Sequence, residues 1–454
     1  MAVFKRLTVS DMVCASEGKF SGDESILEKE ASSFVTDSRE VTQGSVFFAI
    51  CGDRQDGYDF IPQAAEKGAL CFVCEREYTG YNCIVVESSV KALQDIARFY
   101  RSILNITVIG ITGSVGKTTT KELVSSVLSE KYNVVKTEGN HNNGIGLPLT
   151  VLSIRPDTEV AVIEMGMNHY GEMRLLASIA RPDMCIMTNI GISHIENFGS
   201  RENIFKAKSE IFEYLAPTAR CIFNGDDDIL RTADRPNRCF FGFGKNNDVY
   251  IESFFEHGYE GTFFTVNLFG EQLQCHLKVP GKHMLFAAMA AMAAGSWLGL
   301  SSEQLQEGIL NARTLSGRLN VIKTPLITII DDCYNAAPSS VESGIDILTK
   351  GNAPRTVCIL GDMGELGEDA PLLHRAVGEY AAKCGVGLVI AIGKLSKNIY
   401  LGCTDAGGNA EYFETKEEFL GTYENILKQG DVILVKASHF MNFSEIVNAL
   451  RLKK

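Results

Sequence analysis

The sequence predicts an α/β fold built as three domains, and three observations predict it. At 454 residues the chain is long enough for about three domains of ~150 residues each. Short apolar, β-branched runs alternate with helix-like segments along its length, the pattern of parallel sheets covered by helices. The stretch Ile106-Thr-Val-Ile-Gly-Ile-Thr-Gly-Ser-Val-Gly-Lys-Thr-Thr-Thr-Lys-Glu122 reads as strand, phosphate loop and helix. With 45% apolar residues there is material for several packed cores.

The elements follow in order. In residues 1–103, strands are predicted at 46–50, Cys71–Cys74 and 84–86, with helices at 61–67 and 90–103. This is an N-terminal α/β domain, with a boundary near residue 104. Residues 104–320 form the central domain, of the phosphate-loop ATPase type. Its apolar strands 161–164 and 184–189 end in a carboxylate and in polar residues, and ligands of such sheets gather at the strands' C-terminal ends. The alanine-rich run 284–300 is broken by Gly295, Ser296 and Gly299, so it reads as a buried helix rather than a membrane span. In residues 321–454, four apolar strands (327–330, 357–360, Leu388–Ile392, 432–435) each end in Gly or a charge, which predicts a Rossmann-like domain.

Composition excludes several classes. A net charge of −13 argues against non-specific nucleic-acid binding, which needs a basic face. The segment from Met1 to Thr8 has no long apolar core, so no signal peptide is expected. Thirteen cysteines fall without a framework, which fits a reducing cytoplasm. Cys71 and Cys74 form a C-x-x-C inside a strand with no second pair, so core packing is expected rather than zinc.

The loop Gly113-Ser114-Val115-Gly116-Lys117-Thr118-Thr119 carries the clearest chemistry. Its glycines let backbone N–H groups turn inward around phosphate oxygens. Lys117 supplies a cation for the terminal phosphates, the Thr118 hydroxyl can bind Mg²⁺, and the helix N-terminus adds a favourable dipole. Ile111 stands where the usual pattern has its first glycine, so the loop is a shorter variant. A nucleoside triphosphate is the predicted ligand. Glu164, at a strand end beside the loop, is a candidate hard-oxygen ligand for Mg²⁺. The polar, glycine-rich segment Thr137 to Pro148, with Asn143, suits a carboxylate substrate or the surroundings of a metal. His194 follows a strand end on the same face. Lys208, on a predicted helix, is unremarkable by itself. Asp331-Asp332-Cys-Tyr-Asn335 is an acidic turn after a strand, where a carboxylate can accept from ribose hydroxyls, and Arg318 could reach a phosphate.

In this order, these pieces resemble the Mur ligases of bacterial cell-wall synthesis, most of all those that add D-alanyl-D-alanine. Thr36-Asp-Ser-Arg39, Gly44, Phe47-Phe-Ala49, Gly52 and Asp56-Gly57 are similar to the family's UDP-recognising domain, and the short ATP loop explains Ile111. Gly139-Asn-His-Asn-Asn143, Glu164-Met-Gly166, His194, Lys206-Ala-Lys208, Ser316-Gly-Arg318, Asp332-Cys-Tyr-Asn335 and Gly361-Asp-Met363-Gly-Glu-Leu-Gly367 match further motifs. The resemblance implies ATP-dependent amide formation through an acyl phosphate, with UDP-N-acetylmuramoyl-tripeptide and D-alanyl-D-alanine as substrates. It places Ser38, Arg39 and Asp56 at the UDP moiety. Gly113 to Thr119, Arg318, Asp332 and Asn335 would bind ATP. Lys117, Asn143, Glu164, His194 and Lys208 would be catalytic. Lys208 aligns with a lysine the family carbamylates, so Thr118, Glu164, His194 and carbamylated Lys208 would surround Mg²⁺. A cytoplasmic monomer is implied, without nucleic acid or membrane insertion. Tyr58, Met284, Ala287, Ala337 and His439 depart from the usual pattern; none lies in the phosphate loop or at a metal position. A ligase adding another amino acid to a murein precursor, or glutamate to folate, is the alternative. A GTP switch is disfavoured because no Asn-Lys dipeptide exists to begin its guanine reader.

Overall fold

The computed structural model describes residues 6–52, 55–191, 195–313, 317–364 and 366–452. His194 and Ser316 lie outside them. The architecture is α/β in three domains, grouped as two compact units, Met1–Val249 with Ala290–Leu300 and Tyr250–Met289 with Ser301–Lys454.

The first unit holds two sheets. Strands β1 (Lys19–Ser21), β2 (Ser33–Val35), β3 (Ser45–Phe48), β4 (Cys71–Cys74) and β5 (Cys83–Val85) lie in the order β1-β5-β4-β3-β2. All neighbours are parallel except the β1 edge. The helices here are α1 (Val9–Ser16), α2 (Ile61–Glu66) and α3 (Ser89–Ile103). Cys71 and Cys74 are buried in β4, as core residues. The second sheet places β6 (Thr107–Thr112), β7 (Val134–Lys136), β8 (Val160–Glu164), β9 (Met184–Met187), β10 (Arg220–Asn224) and β11 (Arg238–Gly242) in the order β11-β10-β9-β6-β8-β7, all parallel. With it come α4 (Lys117–Ser129), α5 (Gly146–Leu152), α6 (Glu172–Ala180), α7 (Ile195–Phe198) and α8 (Arg201–Lys208).

Helix α3 joins the two sheets. Ser88 caps it by accepting from the Lys91 N–H at 3.3 Å, and its apolar positions 92, 93, 96, 97 and 100 recur at helical spacing and are all buried. One hydrophobic cluster contains Val46, Leu93, Ile96 and Tyr100 together with Leu147, Val151, Leu176 and Ile179. Each fully buried Leu or Ile contributes about 2 kcal/mol. Polar groups lock the seam. The Tyr100 hydroxyl donates to Ile154 O at 2.8 Å, and buried Arg101 donates to Ala180 O at 2.8 Å and pairs with Asp183 at 3.1 Å.

In the second unit, β12 (Val249–Glu256), β13 (Thr262–Leu268) and β14 (Glu271–Leu277) run in sequence order, with β13 and β14 antiparallel. Helix α9 (Met284–Trp297) starts here, with its residues from Ala290 on counted in the first unit, and α10 (Ser302–Asn311) follows. Met284 and Ala287 are buried, so both departures are packing residues. Among the described residues no helix is long and apolar enough to cross a membrane. The last sheet comprises β15 (Asn320–Lys323), β16 (Thr328–Asp331), β17 (Arg355–Gly361), β18 (Leu388–Ile392), β19 (Ala410–Phe413) and β20 (Asp431–Lys436), ordered β15-β16-β20-β17-β18-β19. It is parallel except at the β15 edge. Two of these strands, β15 and β19, exceed the four expected. Both are four-residue edge strands with no buried residue, without the apolar run that marks a buried strand.

Candidate active site

The phosphate loop leaves β6 at Thr112 and enters α4 at Lys117. Gly116, at the helix N-cap, has φ 83°, and no side chain caps the helix, so its first N–H groups face the loop's concavity. The end of β9 clamps the loop. Thr188 Oγ1 donates to Val115 O at 2.6 Å, Asn189 Oδ1 accepts from Val115 N at 2.9 Å, and Asn189 O accepts from Ser114 N at 3.0 Å. Ser114 Oγ accepts from Gly191 N at 2.9 Å. Thr188 and Asn189 were visible only as a polar strand end; their grip on the loop is a tertiary fact. Gly113 is obligatory here, because its φ is 148° and an added Cβ would lie 1.9 Å from Thr188 Oγ1. Gly113→Ala is expected to weaken ADP binding at least tenfold, from about 1–3 kcal/mol of backbone strain plus the clash. Titration calorimetry checks it, and unchanged affinity refutes it.

Two amines converge on one carbonyl. Lys117 Nζ donates to Gly113 O at 2.9 Å and to Ser114 O at 3.4 Å, and Lys208 Nζ donates to Gly113 O at 3.1 Å. Lys208 is 3% exposed, unlike a lysine on a solvated helix face. Burial, reinforced by the nearby Lys117 charge, pulls its pKa down to about 7. Nothing in its local sequence signals this, because the burial comes from packing at the end of α8.

Glu164, at the end of β8, is 2% exposed. Its Oε1 accepts from Asn142 Nδ2 at 2.9 Å, while Oε2 is buried without a hydrogen-bond partner. A buried carboxylate oxygen left unpaired beside a phosphate loop fits a hard cation. Thr118 follows Lys117 in the first turn of α4. The expected His194 ligand is outside the described residues. Asn143 lines the neighbouring cavity, but its side-chain oxygen caps α5 by accepting from Ile145 N at 3.1 Å and Gly146 N at 2.9 Å. Asn142, not singled out from the sequence, is the asparagine that touches Glu164. The cavity of about 510 Å³ is lined by Val90 and Gln94 of α3, Gly113 and Lys117 of the loop, Asn142, and Lys208. Gln94 Nε2 holds Gly144 O at 2.9 Å, so the N-terminal domain supplies one wall.

The remaining candidates sit apart from this cavity's lining. Ser38 Oγ donates to Gln63 Oε1 at 2.9 Å. Arg39 pairs with Asp37 at 2.5 Å and holds that carboxyl down at about 2. Asp56 accepts from Tyr58 N at 2.9 Å and pairs at 2.8 Å with Arg76, whose guanidinium lies 3.9 Å from the Tyr58 ring centre. In the second unit, Asp332 pairs with Lys436 at 2.5 Å and accepts from Leu319 N at 3.1 Å. Its pKa is raised, because burial outweighs the attraction of Lys436. Lys436 also donates to Asn335 O at 3.0 Å. Arg318 stacks 4.3 Å from the Tyr334 ring centre, and His439 lies 5.6 Å from that ring. Ala337 precedes Pro338 at the start of a helix, and its N–H donates to Ser340 Oγ at 3.0 Å.

Comparison with known proteins places the chain. Three family models match it: the Mur ligase family catalytic domain over residues 32–101, the Mur ligase middle domain over 111–295, and the Mur ligase glutamate ligase domain over 317–439. The chain belongs to the Mur ligase family. This Mur ligase is 38% identical over 424 residues to a Bacillus subtilis protein named UDP-N-acetylmuramoyl-tripeptide–D-alanyl-D-alanine ligase, covering 91% of this chain and 92% of the relative. It is similar to a crystal structure of MurF from Acinetobacter baumannii, with TM-score 0.90, 30% identity, and 99% and 100% of the two chains covered. It also resembles MurF ligase from Thermotoga maritima in complex with ADP, with TM-score 0.73, 30% identity, and 92% and 97% covered.

Proposed function

We infer that this Mur ligase joins D-alanyl-D-alanine to UDP-N-acetylmuramoyl-tripeptide, consuming ATP and releasing ADP, in peptidoglycan synthesis. The observation that carries the reading is the meeting of Lys117 and Lys208 on the Gly113 carbonyl, in a cavity walled by the N-terminal domain and lined by Asn142, which holds the half-unpaired Glu164 carboxylate. The names of the relatives over nine-tenths of the chain support the same substrates.

A carboxylate resists amine attack because it is anionic and resonance-stabilised. Its oxygen attacks the γ-phosphorus, the bond to the β-phosphate oxygen breaks, and ADP leaves. Lys117, released from the Gly113 and Ser114 carbonyls, meets the charge on the transferring phosphoryl group. Thr118 and Glu164 would hold Mg²⁺, with carbamylated Lys208 and His194 as further ligands. When bound, the metal supplies charge neutralisation across the phosphates. The dipeptide amine then attacks the acyl carbon, phosphate departs with the bonding electrons, and the nitrogen loses its proton. Water must be kept out, or the acyl phosphate hydrolyses. Ser38, Arg39 and Asp56 would face the UDP moiety, and Arg318, Asp332 and Asn335 the nucleotide. The three domains would divide at about residues 103 and 320. The ligase would act as a cytoplasmic monomer.

ADP is expected to form at an appreciable rate only when ATP, Mg²⁺, the UDP-linked tripeptide and D-alanyl-D-alanine are all present. A coupled ADP assay with each component omitted in turn checks this. Equal turnover with D-alanine or glutamate in place of the dipeptide would favour a different Mur-type ligase.

A further inference from the structure

Lys121 lies one helical turn beyond Lys117 on α4, and it is completely buried. Its Nζ donates to Thr137 O at 2.5 Å and lies 3.0 Å from Glu122 Oε1, while the other Glu122 oxygen pairs with Lys136. A buried ammonium is costly to desolvate, and removing it alone would strand the Thr137 carbonyl and one buried Glu122 oxygen.

What it holds is Thr137. The Thr137 N–H donates to Val162 O at 3.0 Å, and its Oγ1 accepts from Glu164 N at 2.9 Å. Five residues on, Asn142 grips the Glu164 carboxylate, and Asn142 O accepts from Gly166 N at 2.8 Å. Segment 137–142 thus clasps the Glu164-Met-Gly166 turn at three points, and Lys121 pins the clasp to the helix behind the phosphate loop.

We propose that Lys121 is a positioning residue, which sets the Glu164 carboxylate through Thr137 and so couples α4 to the end of β8. This rests on the reading of Glu164 as a magnesium ligand. Groups that orient a metal ligand are worth roughly 10- to 100-fold in metal affinity. Lys121→Met and Thr137→Val are therefore expected to raise the Mg²⁺ concentration for half-maximal ADP binding by roughly tenfold or more. Titration calorimetry of ADP at stepped Mg²⁺ concentrations on the whole chain reads this without turnover. ADP affinity at saturating Mg²⁺ should stay within about threefold, since the loop itself is untouched.

Arg101→Met serves as the stability control. It removes another buried cation of the same unit, the one tied to Ala180 and Asp183. A comparable fall in Tm with no change in Mg²⁺ requirement supports the proposal; an equal shift there overturns it, because the effect would then report lost stability. Should Lys121→Met not fold, Thr137→Val decides, with a tenfold shift supporting the proposal and none overturning it. Glu164→Gln separates the two readings. If that variant leaves the Mg²⁺ requirement unmoved, the assignment of Glu164 falls. If Glu164→Gln moves it and neither Lys121→Met nor Thr137→Val does, only the role of Lys121 falls.

Discussion

Lys117→Ala is expected to lower turnover by roughly two to three orders of magnitude with the fold intact, the size of losing about 3–4 kcal/mol of transition-state stabilisation. The side chain is half-buried at the first position of α4, and its ammonium donates to carbonyls of its own loop, so truncating it removes no packed core residue. The same substitution removes one of the two causes that depress the Lys208 pKa, so Lys208 should titrate higher in the variant. Steady-state rates beside near-UV circular dichroism check the first expectation. A folded variant with wild-type turnover refutes it.

Lys208→Ala is expected to abolish most activity. Carbamylation needs a neutral amine, which attacks CO₂ at carbon, forms the N–C bond and releases a proton. At pH 7 an ordinary lysine near 10.4 is neutral in roughly one molecule in two thousand. Burial beside Lys117 brings Lys208 to about 7, where about half is neutral. That is roughly a thousandfold gain in competent amine. Activity should therefore depend on bicarbonate and fall as pH drops below about 7. Acetate should partly restore Lys208→Ala by supplying an oxygen anion. Stability carries the same sign. Between about 7 and 10.4 the unfolded chain binds a proton at Lys208 that the folded chain does not, so this group's contribution to stability rises with pH. A conservative Lys208→Met should flatten that rise, as read by Tm from pH 6 to 9. Turnover indifferent to bicarbonate at every pH would sink the carbamate.

The strands that carry chemistry were legible because they are buried on both faces. β6, β8, β9, β18 and β20 are continuous apolar runs, and their ends place the phosphate loop, Glu164 and Lys436. The three-residue strands β1 and β2 are too short to show a period, and the edge strands β15 and β19 alternate too weakly. At the site, residue types in the loop announced phosphate binding. Pairings did not announce themselves. That Asn142 rather than Asn143 meets Glu164 depends on how the 137–143 segment turns. The depressed Lys208 pKa depends on burial and on Lys117, about ninety residues earlier. Side-chain chemistry is local in sequence; desolvation is not.

The seam at Tyr100 and Arg101 makes the first hundred residues a poor unit of exchange. A graft cut at residue 104 would strip Leu93, Ile96 and Tyr100 of the partners that α5 and α6 supply, leaving a greasy, aggregation-prone face. Recombination that exchanged residues 1–103 alone would inherit that defect. Cassettes that carry residues through Ala180 and Asp183 would keep the seam closed, and with it the Gln94 wall of the cavity. The first hundred residues and the phosphate-loop sheet are thus one unit of exchange, held together by packing rather than by the chain connection alone.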